Sequence, residues 1–310
     1  MNIALLGARG FVGMNIGQEL KEYDYTVFPV SFQTGFDLRK SEDNFRFIAE
    51  SNCDVIINCA AHVGSLNYVT ELAADIISDN SRMILNLYEA VQKLKPSCKI
   101  IQPIANCGYP ANAVLYKEEE MWDGPLHPSV ISYGFTRRML LLLSETYRMQ
   151  YGIESINLIT PNMYGPYDST DPNKAHAFNA IISKFVKALH TNQESVEIWG
   201  TGVAVREWLY APDFAKIIAE ILQNINDDKY KVPFNIAQED GLNVRNLVNL
   251  ITKHIAYKGK VWYNHDKPDG APRKVMYKGN FNRVFPSFEF TTLEEGIKTT
   301  ASYYQSIYPY

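Results

Sequence analysis

The chain has 310 residues, of which 46% are hydrophobic and 21% are charged, and its formal net charge is -4. This composition is typical of a globular protein with one large α/β domain or with one domain and a smaller lobe. It excludes the strong positive field of proteins that bind nucleic acids or anionic membranes, so we expect neither partner.

The N-terminal residues do not have the pattern of a secretory leader, and no run of about 18 apolar residues occurs. We therefore expect a cytoplasmic protein whose four cysteines stay reduced. Their spacing does not match a metal-binding motif, so we expect no metal site.

Apolar segments of strand length alternate with helix-length stretches along the first half of the chain. They lie at residues 2–7, 25–30, 54–60, 99–105 and 154–160. Near-continuous apolar runs predict buried parallel strands that are joined by right-handed helical crossovers. The predicted fold class is α/β, with a Rossmann-type doubly wound parallel sheet.

The pattern changes after the turn-rich segment PNMYGP, residues 161–166. A polar loop, a helix and short strand-like pieces such as SVEIWG follow it. We expect residues 1–165 to form a dinucleotide-binding domain and residues 166–310 to form a smaller C-terminal α/β lobe that binds a nucleotide sugar.

The segment GARGFVG follows the first predicted strand and spaces Gly7, Gly10 and Gly13 as GxxGxxG. Glycine at these positions permits a tight turn and lets a pyrophosphate approach the backbone N–H groups at a helix N-terminus. This segment therefore predicts a dinucleotide site. The other expected contacts in the turn are Arg9, Phe11 and Val12.

The end of the second predicted strand distinguishes NAD from NADP. An acidic residue there would bind a free ribose 2′-hydroxyl, but FPVSFQTG contains none, and Arg9 is suited to pair with a 2′-phosphate. NADP(H) is the predicted cofactor, with NAD(H) as the alternative. Asp37 and Leu38 are suited to contact the adenine, although Asp37 has the alternative role of a helix N-cap. Further expected cofactor contacts are Ser31, Ala60 and Ala61.

Two long helical patterns, at residues 71–95 and 136–150, have apolar faces that are wider than one contact with a sheet requires. They predict either a dimer interface or two helices that only cover the sheet.

Several motifs together resemble the extended short-chain dehydrogenase/reductase family. They are the glycine turn, NCAAHVG at residues 58–64, and Tyr133 with a basic residue four positions later. The segments NCGYP, TPNMYGP, WGTGVAVREWLYAPD and KPDGAPRK resemble the branch of GDP-L-fucose synthases, which are GDP-4-keto-6-deoxymannose 3,5-epimerase/4-reductases. The resemblance covers nearly the whole chain and implies a homodimer that acts on a GDP-linked sugar.

In that family a serine or threonine, a tyrosine and a lysine carry out hydride transfer. The resemblance implies that Tyr133 is the acid and places Arg137 at the lysine position, one helical turn away. Arginine supplies a permanent charge without the geometry of an ammonium group, so we expect retained but slower or altered redox chemistry. Ala105 stands where the family has a hydroxyl, and losing such a donor costs about 3 kcal/mol. Asn106 offers an amide donor as a substitute.

The epimerase pair of that branch is present. The resemblance implies that Cys107 is the base and His176 the acid, and that Tyr133, Arg137 and His176 also contact the cofactor. Because a C4 ketone acidifies the hydrogens on carbons 3 and 5, a thiolate and an imidazolium can invert each centre through an enolate. One alternative is a small buried cysteine and a hydrogen-bonded loop histidine with structural roles. Another is a pair that only positions the substrate.

The same resemblance implies a set of substrate contacts to the sugar, the diphosphate and the base. They are Asn162, Lys184, Trp199, Arg206, Asp269 and Arg273. For the basic residues the alternative is solvated surface charge. Two other functions remain open: a 4-reductase without epimerisation, acting on another GDP-sugar such as a heptose for surface polysaccharide, and a catalytically inactive cofactor-binding homologue.

Overall fold

A computed structural model describes residues 1–171 and 174–310, and its centre is a six-stranded parallel sheet. The strand order is β10-β5-β4-β3-β1-β2. The strands are β1 (Asn2–Leu6), β2 (Thr26–Val30), β3 (Val55–Asn58), β4 (Lys99–Ala105), β5 (Ser155–Thr160) and β10 (Phe234–Asn235). All five predicted strands are present, and the sixth is the short β10, which pairs with β5.

Helices cover both faces of this sheet. The α-helices of the described residues, including those outside this sheet, are α1 (Phe11–Glu19), α2 (Ser41–Ser51), α3 (Leu66–Glu71), α4 (Ala73–Leu94), α5 (Ile131–Tyr151), α6 (Ala177–His190), α7 (Ala211–Gln223), α8 (Val244–Ile255), α9 (Gly279–Val284) and α10 (Leu293–Ser306). Helix α1 packs on α7 on one face, and α4 packs on α2 and α5 on the other. The doubly wound α/β fold is therefore confirmed. Across the described residues, no helix combines the length and the apolar character needed to span a membrane.

Strand β1 shows why the apolar runs are nearly continuous. Ile3 and Leu5 belong to the core beneath α1 and α7, whereas Ala4 and Leu6 belong to the core beneath α2 and α4. Successive side chains of a strand point to opposite faces, so a sheet that is covered on both sides requires apolar residues at every position.

The second half of the chain builds a smaller α/β region. Its strands are β6 (Asn162–Tyr164), β7 (Ser195–Trp199), β8 (Val205–Arg206), β9 (Trp208–Tyr210), β11 (Leu242–Asn243), β12 (Lys260–Asn264) and β13 (Arg273–Lys274). They form the pairs β6–β9 and β7–β12 and the three-stranded order β11-β8-β13. Helices α6, α8 and α10 enclose a third core, which contains Phe185, Ile251 and Tyr304.

The chain returns to the first core after residue 165. Phe214 of α7, Phe234 of β10 and Phe281 of α9 are buried together with β1 residues. The chain thus passes between the two regions several times, and the first passage is near residue 165. The division into domains at residue 165 remains a prediction.

Candidate active site

The glycine turn lies tightly against the end of β3. Gly7 has a φ of +73°, and a Cβ on it would lie 2.9 Å from the backbone nitrogen of Ala60. A Cβ on Gly13 would lie 2.2 Å from the Gly7 carbonyl oxygen, so larger residues are excluded at both positions. Helix α1 begins at Phe11 directly after the turn. The backbone therefore leaves the open helix N-terminus that a pyrophosphate requires and brings Ala60 next to it.

The adenosine end of the predicted cofactor site holds an ion pair that the sequence did not reveal. The carboxylate of Asp37 accepts from Arg39 through Nε at 2.9 Å and Nη2 at 3.0 Å. The hydrogen bond from Arg39 lowers the pKa of Asp37. Helix α2 has Lys40 at its N-cap, so Asp37 does not cap it. Arg9 is exposed, and Ser31 caps a short turn by accepting from the Thr34 nitrogen at 3.2 Å.

Asn80, a buried residue of α4, joins the NCAAHVG segment to α5. Its Oδ1 accepts from the backbone nitrogen of His62 at 3.1 Å and from Nη2 of Arg137 at 3.3 Å. Its Nδ2 donates to the His62 carbonyl at 2.8 Å. The sequence analysis did not identify Asn80. A polar residue within the apolar pattern of a long helix could have indicated it. Because of these bonds, the loop after β3 and the basic residue of α5 are positioned together.

Tyr133 and Arg137 lie on one face of α5, as their spacing predicts. The guanidinium carbon of Arg137 is 4.7 Å from the centre of the Tyr133 ring. Burial raises the pKa of Tyr133, and the charge of Arg137 opposes that rise. Arg137 is only 4% exposed, and its Nε lacks a hydrogen-bond partner among the described residues. A buried donor of this kind is costly unless a ligand satisfies it.

Cys107 lies in a short 3-10 turn at residues 106–108, directly after β4. A Cβ on Gly134 would lie 2.5 Å from the Cys107 carbonyl oxygen, so the first turn of α5 packs directly on this turn. Burial raises the pKa of the Cys107 thiol, and the charges of Lys274 and Arg137 oppose that rise. The structure thus brings Cys107 together with Tyr133 and Arg137.

Asn106 precedes Cys107 and is 3% exposed. Its Nδ2 has no hydrogen-bond partner within the described part of the chain. Ala105, the last residue of β4, precedes Asn106 and has no side-chain donor. The unsatisfied amide of Asn106 is therefore the side-chain donor at this end of β4.

His176 lies at the N-terminus of α6 and is held by Asp168. The imidazole Nδ1 lies 3.1 Å from Asp168 Oδ1, and the His176 backbone nitrogen donates to Oδ2 at 2.9 Å. Burial acts against the charged imidazole, but Asp168 outweighs it and raises the pKa of His176. The His176 ring centre is 5.3 Å from that of Phe11, next to the glycine turn. Sequence reasoning did not identify Asp168, because only the fold shows which loop carboxylate meets His176.

Four of the predicted substrate residues form two pairs, Lys184 with Trp199 and Asp269 with Arg206. Lys184 lies over the ring of Trp199, with its Nζ 5.0 Å from the ring centre, and Lys267 lies 5.2 Å from the same ring. Asp269 accepts from the nitrogen of Thr201 at 2.8 Å and from its hydroxyl at 2.6 Å. The Asp269 carbonyl accepts from Arg206 at 2.9 Å, so this aspartate positions Arg206.

The remaining two substrate residues lie apart from these groups. Asn162 is half-buried in β6, opposite Trp208 of β9. Arg273 is exposed and is paired in register with Val205, whereas its neighbour Lys274 is paired with Arg206. Because successive side chains of a strand alternate, Arg273 points away from the face that carries Arg206. The structure does not bring Arg273 together with the other predicted cations.

No group of histidine, cysteine or acidic side chains among residues 1–171 and 174–310 is arranged to hold a metal ion.

A family model described as the NAD dependent epimerase/dehydratase family matches residues 3–237. A probable GDP-L-fucose synthase 1 of Oryza sativa subsp. japonica is 27% identical over 303 residues, which cover 97% of this chain and 91% of that relative. A GDP-L-colitose synthase of Yersinia pseudotuberculosis is 28% identical, with 98% of both chains covered. The crystal structure of a GDP-L-fucose synthetase from Naegleria fowleri bound to NADP superimposes with a TM-score of 0.86. It is 22% identical and covers 99% of this chain and 94% of its own, so this likeness shows the fold.

Proposed function

The chain belongs to the NAD dependent epimerase/dehydratase family, and we propose that it is an NADP(H)-dependent nucleotide-sugar epimerase/reductase. It reduces the 4-keto group of a GDP-4-keto-6-deoxyhexose after epimerisation at carbons 3 and 5, in the manner of a GDP-L-fucose synthase. The predicted family resemblance and the predicted enzyme class are confirmed by the family match.

One observation carries the proposal: Cys107, Tyr133 and Arg137 meet where β4 ends and α5 begins. The Arg137 guanidinium lies against the Tyr133 ring, and the charges of both Arg137 and Cys107 act on Tyr133. A base, an acid and a fixed cation at the carboxyl edge of a parallel sheet form the arrangement that ketone chemistry beside a bound dinucleotide requires.

The residues present fit the dinucleotide. The glycine turn leaves no room for a Cβ at Gly7 or Gly13, and the Nε of buried Arg137 lacks a partner among the described residues. When bound, NADPH supplies a hydride. We propose that the glycine turn binds the pyrophosphate, that Arg137 binds the nicotinamide ribose, and that Arg9 binds the 2′-phosphate. The remaining proposed contacts are Phe11, Val12, Ser31, Asp37, Leu38, Ala60 and Ala61.

In the reduction, Tyr133 donates its phenolic proton to the C4 oxygen of the sugar. Arg137 stabilises the resulting tyrosinate, because a nearby permanent cation favours the charged phenolate. Asn106 donates an amide hydrogen bond to the same oxygen in place of the hydroxyl that Ala105 lacks. The unpartnered Nδ2 of Asn106 supports this role.

In the epimerisation, Cys107 as a thiolate removes the hydrogen on carbon 3 or carbon 5, which the C4 ketone has made acidic. His176 as an imidazolium returns a proton to the opposite side of that carbon. Asp168 holds Nδ1 of His176, which leaves Nε2 for the substrate, and it favours the protonated ring. Each titratable group thus has a neighbour that stabilises the charge it needs.

The substrate residues are proposed to bind the nucleotide portion. We propose that the partly exposed Trp199, with Lys184 over its ring, contacts the base, and that the guanidinium of Arg206 binds the diphosphate. Asn162 is proposed to contact the sugar, and Asp269 to hold Arg206 in place.

A homodimer and a cytoplasmic location are also part of the proposal. The exposed residues Ile131, Phe135, Leu142 and Met149 of α5 fall within about 40° around the helix at 100° per residue. Such a stripe on a helix is suited to pack against a second copy. The four free cysteines fit a reducing compartment. Sedimentation at micromolar concentration tests the dimer, and a monomer would contradict it.

The function is tested by mixing the purified protein with NADPH and GDP-4-keto-6-deoxymannose and following the loss of NADPH. We expect oxidation that depends on the sugar and that is slower with NADH. The UDP-linked analogue is the matched control for recognition of the base. Without sugar-dependent oxidation of either cofactor, the proposal would be wrong.

A further inference from the structure

Lys274, a residue not included in the predicted site, shares a strand face with Arg206. Strand β13 pairs in parallel with β8, and Lys274 is in register with Arg206. Side chains in register on neighbouring strands point to the same face, so these two cations are neighbours. Arg273, one residue earlier, points to the other face.

The segment that follows β13 is fixed close to the Cys107 turn. The Tyr116 nitrogen donates to the Val275 carbonyl at 2.8 Å, and the Tyr277 nitrogen donates to the Tyr116 carbonyl at 2.9 Å. The Tyr116 ring stacks on Tyr109 with ring centres 4.6 Å apart. Tyr109 comes two residues after Cys107, so one stack of aromatic rings connects the strand of Lys274 to the turn of the proposed base.

Glu207 fixes this segment from its other side. Its buried carboxylate accepts from the Met276 nitrogen at 2.8 Å and from the Gln238 nitrogen at 2.6 Å. These backbone bonds hold residues 275–277, which directly follow Lys274, without involving the lysine side chain. A substitution of the Lys274 side chain should therefore leave these backbone hydrogen bonds intact.

The groups around Cys107 come from three elements. Arg137 and Tyr133 lie on α5, Tyr116 lies in the loop after the Cys107 turn, and Lys274 lies on β13. Burial lowers the pKa of Lys274, as does the charge of Arg206, whereas the thiolate form of Cys107 raises it. No carboxylate among the described residues acts on Lys274. Burying a cation next to a second cation is costly unless an anion lies nearby, and in the ligand-free protein the thiolate form of Cys107 supplies that anion.

We propose that Lys274 is the ammonium that pairs with the Cys107 thiolate, an inference that rests on the proposed epimerisation. In that step the thiolate sulfur takes a proton from carbon 3 or 5, the electron pair of the broken C–H bond forms a double bond to C4, and the carbonyl π pair moves to the C4 oxygen. As the ketone re-forms, the double-bond pair takes the proton of His176 on the opposite face of the carbon. Proton exchange with solvent then restores the thiolate and the imidazolium. No electrons are gained or lost overall. The ammonium of Lys274 is the fixed counter-charge for the sulfur before the proton moves.

The test titrates the ligand-free protein by the ultraviolet absorbance of its thiolates, with Cys107→Ser subtracted to isolate Cys107. We expect Lys274→Met to move the midpoint upward by about one pH unit, since removing a nearby charge in a partly buried site has about this effect. Lys274→Arg keeps the charge and restores most of the wild-type midpoint. Arg273→Met, which removes a charge from the other face of the same strand, leaves the midpoint unchanged.

A second readout separates this role from binding of the substrate. At neutral pH, Lys274→Met should reduce exchange of solvent deuterium into the sugar about tenfold through kcat, with partial recovery at higher pH. An unchanged thiolate midpoint in Lys274→Met would overturn the inference. It would also do so if KM for the nucleotide sugar rose, because Lys274 would then only bind the substrate. If Lys274→Met does not fold, Lys274→Gln provides the same comparison.

Because the titration needs no substrate, its result is independent of the proposed function. A midpoint that moves in a protein without exchange activity would support the ion pair and contradict the proposed epimerisation.

Discussion

The two sides of the proposed catalytic site stabilise opposite charges. On one side His176 contacts a carboxylate, Asp168, which is buried and hydrogen-bonded at both of its oxygens. On the other side the charges of Lys274 and Arg137 act on Cys107, and the charge of Arg137 acts on Tyr133. A carboxylate keeps an acid protonated, and a cation helps a thiol or a phenol to ionise. These opposite surroundings would let one proposed site hold an acid and a base at the same pH.

Removing the phenol of Tyr133 should have the largest effect on the reductive side. Tyr133→Phe removes the proton donor, so we expect NADPH oxidation with the 4-keto sugar to fall by about 100-fold or more. The measurement is the rate at saturating NADPH. Exchange of solvent deuterium into the sugar should continue in this variant, and reduction at the wild-type rate would show that Tyr133 is not the acid.

Removing the carboxylate on the acid side should have a smaller effect. Because Asp168 raises the pKa of His176, Asp168→Asn lowers it, and less imidazolium is present at neutral pH. We expect deuterium exchange to fall about tenfold at neutral pH, with the alkaline limb of its pH profile moved to lower pH.

Asp168→Glu, which retains the charge, is the control for this experiment. A pH profile of Asp168→Asn that coincides with that of the wild type would show that Asp168 holds the loop without tuning His176.

Adding a hydroxyl at position 105 should have the smallest effect. Ala105→Ser places a second donor next to the unpartnered amide of Asn106. We expect the rate of NADPH oxidation to rise about threefold, well below the full value of one such donor, because Asn106 already supplies a hydrogen bond.

Asn106→Ala is the matched control and should slow the reduction. If Asn106→Ala had no effect and Ala105→Ser restored a large activity, the wild-type site would have no donor to the C4 oxygen.

The parts of the molecule that could be predicted from the sequence are those with local causes. The buried strands appear as apolar runs because both faces of the sheet are covered, and the glycine turn appears as a spacing because two Cβ atoms have no room. Cys107, Tyr133 and Arg137 lie within two segments that meet through adjacent elements, β4 and α5. Their approach therefore follows from the order of the fold.

The remaining features depend on contacts between distant segments. Asp168 and Asn80 act through partners that only the fold brings to them. Arg273 and Lys274 are adjacent in the sequence, and only the pairing register of a two-residue strand decides which of them faces Arg206. A sequence pattern indicates that a cation is present there, but it does not indicate which side chain enters the site.

The central claim is that one cleft both epimerises and reduces a GDP-linked 4-keto sugar. The most direct measurement is mass spectrometry of the product formed from NADPH and GDP-4-keto-6-deoxymannose in deuterated water. For the wild-type protein we predict solvent deuterium at both carbon 3 and carbon 5 together with oxidation of NADPH. Given sugar that has already been epimerised, Cys107→Ser should still oxidise NADPH but should introduce no deuterium. Oxidation of NADPH by the wild-type protein without any deuterium at these carbons would contradict the claim.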